Sequence, residues 1–200
     1  MTTARDLALF VLSLPPERAV EQGDLSLALA GAEAVDLLKN GSLALDGDRM
    51  APRSDRGTGD RLLDQALASA VRQQSWQTIQ SWLWRRGKDL AETYARDLER
   101  TGRLVRPRGQ CLWLGAVRPL RADPSERGRV RLLVPGDPVL VALTGFLGIG
   151  DFERDTVGDA GGDPSVATVL AAVGEAVTEL EAVRLRRGVE AEAFDNMWRA

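Results

Sequence analysis

Apolar residues recur at helical rather than strand spacing along most of this chain, which obliges it to stack helices around a shared core. Glycine caps and Asp-Pro starts separate one helix from the next. A first helix is expected over Arg5 to Leu14. A second starts at Asp24, a good N-cap, and carries Leu25, Leu27, Leu29, Ala34, Leu37 and Leu38 before Gly41 ends it. Thr58-Gly59-Asp60 introduces a third through Leu62, Leu63, Ala66, Leu67 and Val71, and Ser75 caps a fourth carrying Trp76, Ile79, Leu83 and Trp84; both should face the core. Asp137-Pro138 opens an apolar helix from Val139 to about Leu147. After a glycine- and aspartate-rich loop from Gly148, Asp163-Pro164 opens the last. Its stripe is Val166, Val169, Leu170, Val173, Val177, Leu180 and Val183, and Gly188 is expected to stop it.

One pattern occurs twice. Ala34 to Gly41 leads into Ser42-Leu43-Ala44-Leu45, an Asp46-Gly47 turn and a return over Arg49 to Ala51. Ala95 to Gly102 has the same spacing and predicts a second hairpin, with Arg103 to Arg106 outgoing, Pro107-Arg108-Gly109 turning and Gln110 to Leu114 returning. Either a common glycine cap or an internal duplication produces this.

With 44% hydrophobic and 28% charged residues the chain is too apolar for disorder, and no apolar stretch approaches the roughly 20 residues of a membrane span. Leu7 to Leu14, between Asp6 and Pro15-Pro16-Glu17, does not resemble a secretion signal, so a cytosolic location is expected. One cysteine, Cys111, and no histidine exclude an internal disulfide, a Cys/His zinc site and any His-dependent triad or dyad. Acid-base chemistry is left to carboxylates, Lys39, Lys88 and Tyr94, and an enzyme is not expected.

Gly57-Thr58-Gly59 before a helix could cradle phosphate, but Asp60 places negative charge there, so a helix cap is expected. Asp60 and Asp64, one turn apart, are a poor metal pair without further ligands; no metal or cofactor is expected. Charge is more telling. Thirteen cations from Arg85 to Arg131 face six carboxylates, and the stretch beyond, to Glu181, is mainly acidic, within a net charge of −3. All but two of the 26 basic residues, Lys39 and Lys88, are arginine.

Leu27-Ala28-Leu29-Ala30-Gly31-Ala32, Leu43-Ala44-Leu45, Thr58-Gly59-Asp60-Arg61-Leu62-Leu63-Asp64-Gln65-Ala66-Leu67 and Leu98-Glu99-Arg100-Thr101-Gly102-Arg103-Leu104, in this order and followed by Asp137-Pro138, resemble the Golgi phosphoprotein 3 family, bacterial members included. The resemblance runs from about residue 5 to 198. It implies a mainly α fold, one domain over residues 1–200, with a helical core ringed by amphipathic helices and two short β-hairpins. It also implies a peripheral membrane protein and adaptor that binds phosphatidylinositol 4-phosphate and holds glycosyltransferase tails. The family's headgroup pocket uses a tryptophan, an arginine in Gly-Leu-Arg-Gly and a basic pair one turn apart. These positions fall here near Glu21, at Ala30, and at Lys88 and Ala91, so only Lys88 is retained. Weakened anionic-lipid binding through Lys88, Arg85 and Arg86 is therefore expected. The family's projecting hairpin, used for membrane contact and self-association, corresponds to Leu104 to Leu114, with Arg106, Arg108, Leu112 and Trp113 as candidates. Protein tails and a homo-oligomer are further expected partners.

A helix followed by a hairpin also suits a winged-helix unit, which makes a DNA-binding or transcription-related protein the alternative. The helix ending at Gly41 carries Glu33, Asp36 and a single Lys39, a poor recognition surface, so nucleic acid is not the expected partner.

Overall fold

The computed structural model describes residues 2–53, 57–71, 77–105, 121–149 and 162–198, with side chains through 190. Eight α-helices among these residues are α1 (Thr3–Leu12), α2 (Gln22–Lys39), α3 (Arg61–Val71), α4 (Ile79–Arg86), α5 (Leu90–Arg100), α6 (Pro124–Leu133), α7 (Pro138–Phe146) and α8 (Pro164–Trp198). Two short antiparallel pairs join β1 (Leu43–Asp46) to β2 (Arg49–Pro52) and β3 (Leu104–Val105) to β4 (Arg121–Ala122). The fold is mainly α, as the apolar spacing predicts.

Helix α2 is the axis of the core. Every residue from Leu25 to Leu37 is buried, and α1, α3, α4, α5, α7 and α8 all pack on it. Leu25, Leu29 and Leu37 have no exposure, and burying each such side chain contributes about 1.5–3 kcal/mol. Small residues between the leucines let neighbouring helices come close. At Gly31 an added Cβ would come within 2.2 Å of Val173 on α8, so the absence of a side chain sets how closely those helices cross. Burial on all sides also removes α2 as a groove-reading recognition helix, which counts against the DNA-binding alternative.

The repeated pattern has the same backbone chemistry in both places. Gly41 (φ 74°) donates to Leu38 O and Ser42 to Leu37 O; Gly102 (φ 71°) donates to Glu99 O and Arg103 to Leu98 O, a left-handed cap in each case. Leu43 and Leu104 then enter the core at matching positions. The matching aspartates, Asp36 and Asp97, are both buried and both reach α1. Asp36 accepts from the Thr3 and Ala4 amides at 2.9 and 3.0 Å, satisfying donors that the first turn of α1 cannot pair internally. Burial raises its carboxyl above the ordinary range, and those two amides pull it back.

Several boundaries differ from expectation. Helix α2 begins before Asp24, whose carboxylate pairs instead with Arg184 at 2.8 Å. Thr78 caps α4, accepting from the Ser81 amide, and Ser75 and Trp76 lie outside the described residues. Trp84 sits on the outer face of α4 at 37% exposure, because Ile79, Trp82 and Leu83 already fill the inner one. Helix α6 forms in a segment the arginine content concealed, with Val130 its buried residue. Gly188 does not stop α8, which continues to Trp198. Strand β3 pairs with β4, Leu104 opposite Ala122, and the expected turn and return strand over Pro107 to Leu114 lie outside the described residues. The first hairpin turns in two residues as expected, but on Gly47-Asp48 rather than Asp46-Gly47: Asp46 ends β1 opposite Arg49, and Gly47 takes the positive φ, 62°.

Candidate functional site

The junction of α4 and α5 carries the expected headgroup residues, and its shape follows from one close approach. A Cβ at Gly87 would meet the Leu83 carbonyl at 2.8 Å and α2 at Leu27 and Ser26, so only glycine lets the turn lie flat on α2. Asp89 completes the turn at φ 56°, in the left-handed region that aspartate tolerates better than most residues. Ser26 Oγ then accepts from the Ala91 amide at 3.1 Å and ties the start of α5 to α2. These restraints turn Lys88 outward, exposed between the end of α4 and the start of α5.

Arg85 is also exposed. Its guanidinium donates to the Ser69 carbonyl at 3.1 Å and to Gln77 Oε1 at 2.7 Å, bracing α3 against the approach to α4. Trp84, Arg85 and Lys88 thus share the outer side of this junction.

Arg86 turns the other way. Its Nε and terminal nitrogen meet Glu33 Oε2 and Oε1 at 2.7 and 2.8 Å, a two-bond fork onto a carboxylate with no solvent exposure, and it also donates to the Leu62 carbonyl. Tyr94 donates its hydroxyl to the same carboxylate at 3.1 Å. Burial lifts Glu33 above the usual carboxylate range while Arg86 and Tyr94 pull against it, and burial beside Glu33 drives the Tyr94 phenol well above its ordinary value. Of the three cations expected to meet a headgroup, Arg86 has its fork on an inward carboxylate, while Arg85 and Lys88 stand on the surface. Arg106, Arg108, Leu112 and Trp113 lie outside the described residues.

The basic run is partly neutralised. Within it Arg86, Arg96, Arg100, Arg103 and Arg129 each hold a carboxylate, on Glu33, Glu92, Asp97, Glu126 and Asp6 with Glu126 respectively. Of these carboxylates Glu33 and Asp6 come from outside the run, on α2 and α1, and add to the six that the sequence places within it.

The Thr-Gly-Asp segment is a cap. Asp60 Oδ1 accepts from the Leu62 amide at 2.9 Å and the Leu63 amide at 3.4 Å, while Arg5 Nε reaches its other oxygen at 2.5 Å. Asp64 reaches back to the Thr58 amide and hydroxyl. Both carboxylates thus hold the start of α3. Burial would raise Asp60, but Arg5 and the helix amides hold it below the ordinary value. Arg5 also pairs with Asp97 at 2.9 Å, beside Arg61 and Arg100 at 2.8 and 2.9 Å. Sequence reading missed this cluster, although Asp97 shares its place in the repeat with Asp36. Burial opposes its ionisation, yet the three arginines hold the Asp97 carboxyl at about 2.

A family model described as Golgi phosphoprotein 3 (GPP34) matches residues 4–190. The chain belongs to this family. No curated protein matches it. Golgi phosphoprotein 3 proteins form a non-enzymatic binding and adaptor family. The capping segment at Thr58 to Asp64 and the glycine turns, which carry the resemblance, serve the scaffold in this member. Ala30, with no exposure, and Ala91, at 2%, are both buried. No helix among the described residues is long and apolar enough to cross a membrane.

Proposed function

We propose that this Golgi phosphoprotein 3 family member is a peripheral module that touches anionic membrane surfaces through the α4–α5 junction and serves there as an adaptor. The observation that carries this reading is the outward grouping of half-exposed Trp84 with Arg85 and Lys88, fixed by Gly87 against α2. Tryptophan favours the headgroup layer, and each cation near an anionic surface adds about 1 kcal/mol. Ala30 and Ala91 supply no guanidinium forks, so the contact reads charge density rather than the stereochemistry of one phosphoinositide.

Co-sedimentation of the full chain with phosphatidylcholine vesicles, alone or with phosphatidylserine or phosphatidylinositol 4-phosphate, tests this across a salt series. Pelleting should require either anionic lipid, weaken as salt screens the charges, and fall for Lys88→Ala and further for Lys88→Ala with Arg85→Ala. Circular dichroism on the second variant checks that the Ser69 and Gln77 contacts of Arg85 are not needed for folding. No anionic-lipid-dependent pelleting at low salt overturns the reading, and pelleting with phosphatidylinositol 4-phosphate alone overturns the charge-density account.

A further inference from the structure

We propose that two copies of this chain associate through the outward face of α8, packed antiparallel about a two-fold axis. The inner face of the helix, including Val169, Val173 and Ala176, is buried in the core. On the outer face Thr178, Ala182, Leu185 and Val189 follow at spacings of four, three and four residues, the seam pattern of paired helices. All four are exposed, and Leu185 and Val189 are 66% and 67% accessible, among the largest exposures of apolar side chains in the described residues. Toward the N-terminal half the seam runs into a groove of about 620 Å³ beside Phe146, floored by Ala171 and Gly174.

Size and charge both select the antiparallel arrangement. Placing Ala182 against the partner's Leu185 sets Thr178 against the partner's Val189, so small residues oppose large ones in each layer. Exposed Glu175 precedes this stretch and exposed Glu179 and Glu181 lie in its first half, while exposed Arg186 and Arg187 lie in its second half, ahead of Glu190. Parallel helices would align like charges. The antiparallel pair brings Glu179 toward the partner's Arg186 and repeats the contact by symmetry. Arg184 is already engaged by Asp24 and takes no part. The acidic half disfavours an anionic bilayer as the occupant.

Thr178 to Val189 spans only about 16 Å of helix, which places the contact with small, reversible interfaces. Sedimentation velocity of the full chain over a dilution series tests it. A monomer–dimer equilibrium is expected; Leu185→Asp with Val189→Asp should weaken it by about tenfold or more with unchanged circular dichroism. Glu179→Arg should weaken it too, and Glu179→Arg with Arg186→Glu should restore it. A monomer up to about 100 µM overturns the proposal. So does a dimer that tolerates the double aspartate variant, as association through another surface would. Failure of the charge exchange to restore association overturns the antiparallel orientation.

Discussion

Truncating Arg86 tests whether this cation serves the scaffold or a ligand. In Arg86→Ala, Glu33 stays behind with no solvent exposure and, among the described residues, Tyr94 as its remaining side-chain partner. The two fork bonds are charge-assisted, each worth about 1.5–3 kcal/mol, and breaking a buried pair on one side costs about 3–5 kcal/mol. That is a large share of the 5–15 kcal/mol typical of a whole domain. Urea unfolding followed by tryptophan fluorescence measures it. Arg86→Met, which keeps most of the stem, should show the same loss of midpoint in a form that folds more readily, and Arg86→Met with Glu33→Gln should recover much of it because no charge is then stranded. The pH dependence has a definite sign. An unpaired Glu33 has a folded pKa above its unfolded value, so its proton stabilises the fold at low pH and that stability is lost as pH rises through the folded pKa. The deficit of Arg86→Met against wild type should therefore narrow as pH falls from about 7 to about 5. A midpoint unchanged in Arg86→Met, or a double variant less stable than the single, refutes the structural role.

Asp97 gives the opposite sign: its folded pKa of about 2 lies below the unfolded value, so the stability it adds is present above about pH 4 and lost as pH falls through about 2. Asp97→Asn should cost about 2 kcal/mol at neutral pH, discounted for the exposure of Arg61 and Arg100, and denaturant titrations of the two proteins should converge in acid. Gly31→Ala forces a Cβ into Val173, and thermal unfolding should show a loss of roughly 1–3 kcal/mol that Val173→Ala in the same chain relieves in part.

The apolar period made most of the helices legible, because Leu25 to Leu38 or Val166 to Val183 can bury their stripes in no other way. The caps at Asp60, Asp137 and Gly41 were equally readable, since each satisfies backbone groups by local chemistry. What stayed hidden depended on distant partners. Asp24 looks like a cap until Arg184, 160 residues on, takes its carboxylate. Arg86 looks like a surface cation until Glu33 draws it inward. Helix α6 shows one buried residue, Val130, too little for a periodic signal. At the candidate site Lys88 was found through its position in the family motif, whereas the outward placement of Trp84 needed the inner face of α4 to be seen already full.

Asp36 and Asp97 hold α1 from two sides, one at its opening amides and one at Arg5, and this has a kinetic meaning. The first anchor is 33 residues from Thr3, and the second lies 61 residues beyond it. Closing the nearer loop takes less chain entropy, so α1 should dock on α2 early, with Arg5 met first by Asp60 and fully sealed only when α5 brings Asp97. During synthesis the protein would pass through a half-clamped stage whose exposed apolar surface is that of α1. The second helix–hairpin unit then acts as the closing step of folding, and slowing its delivery should lengthen the interval in which the chain is prone to aggregate.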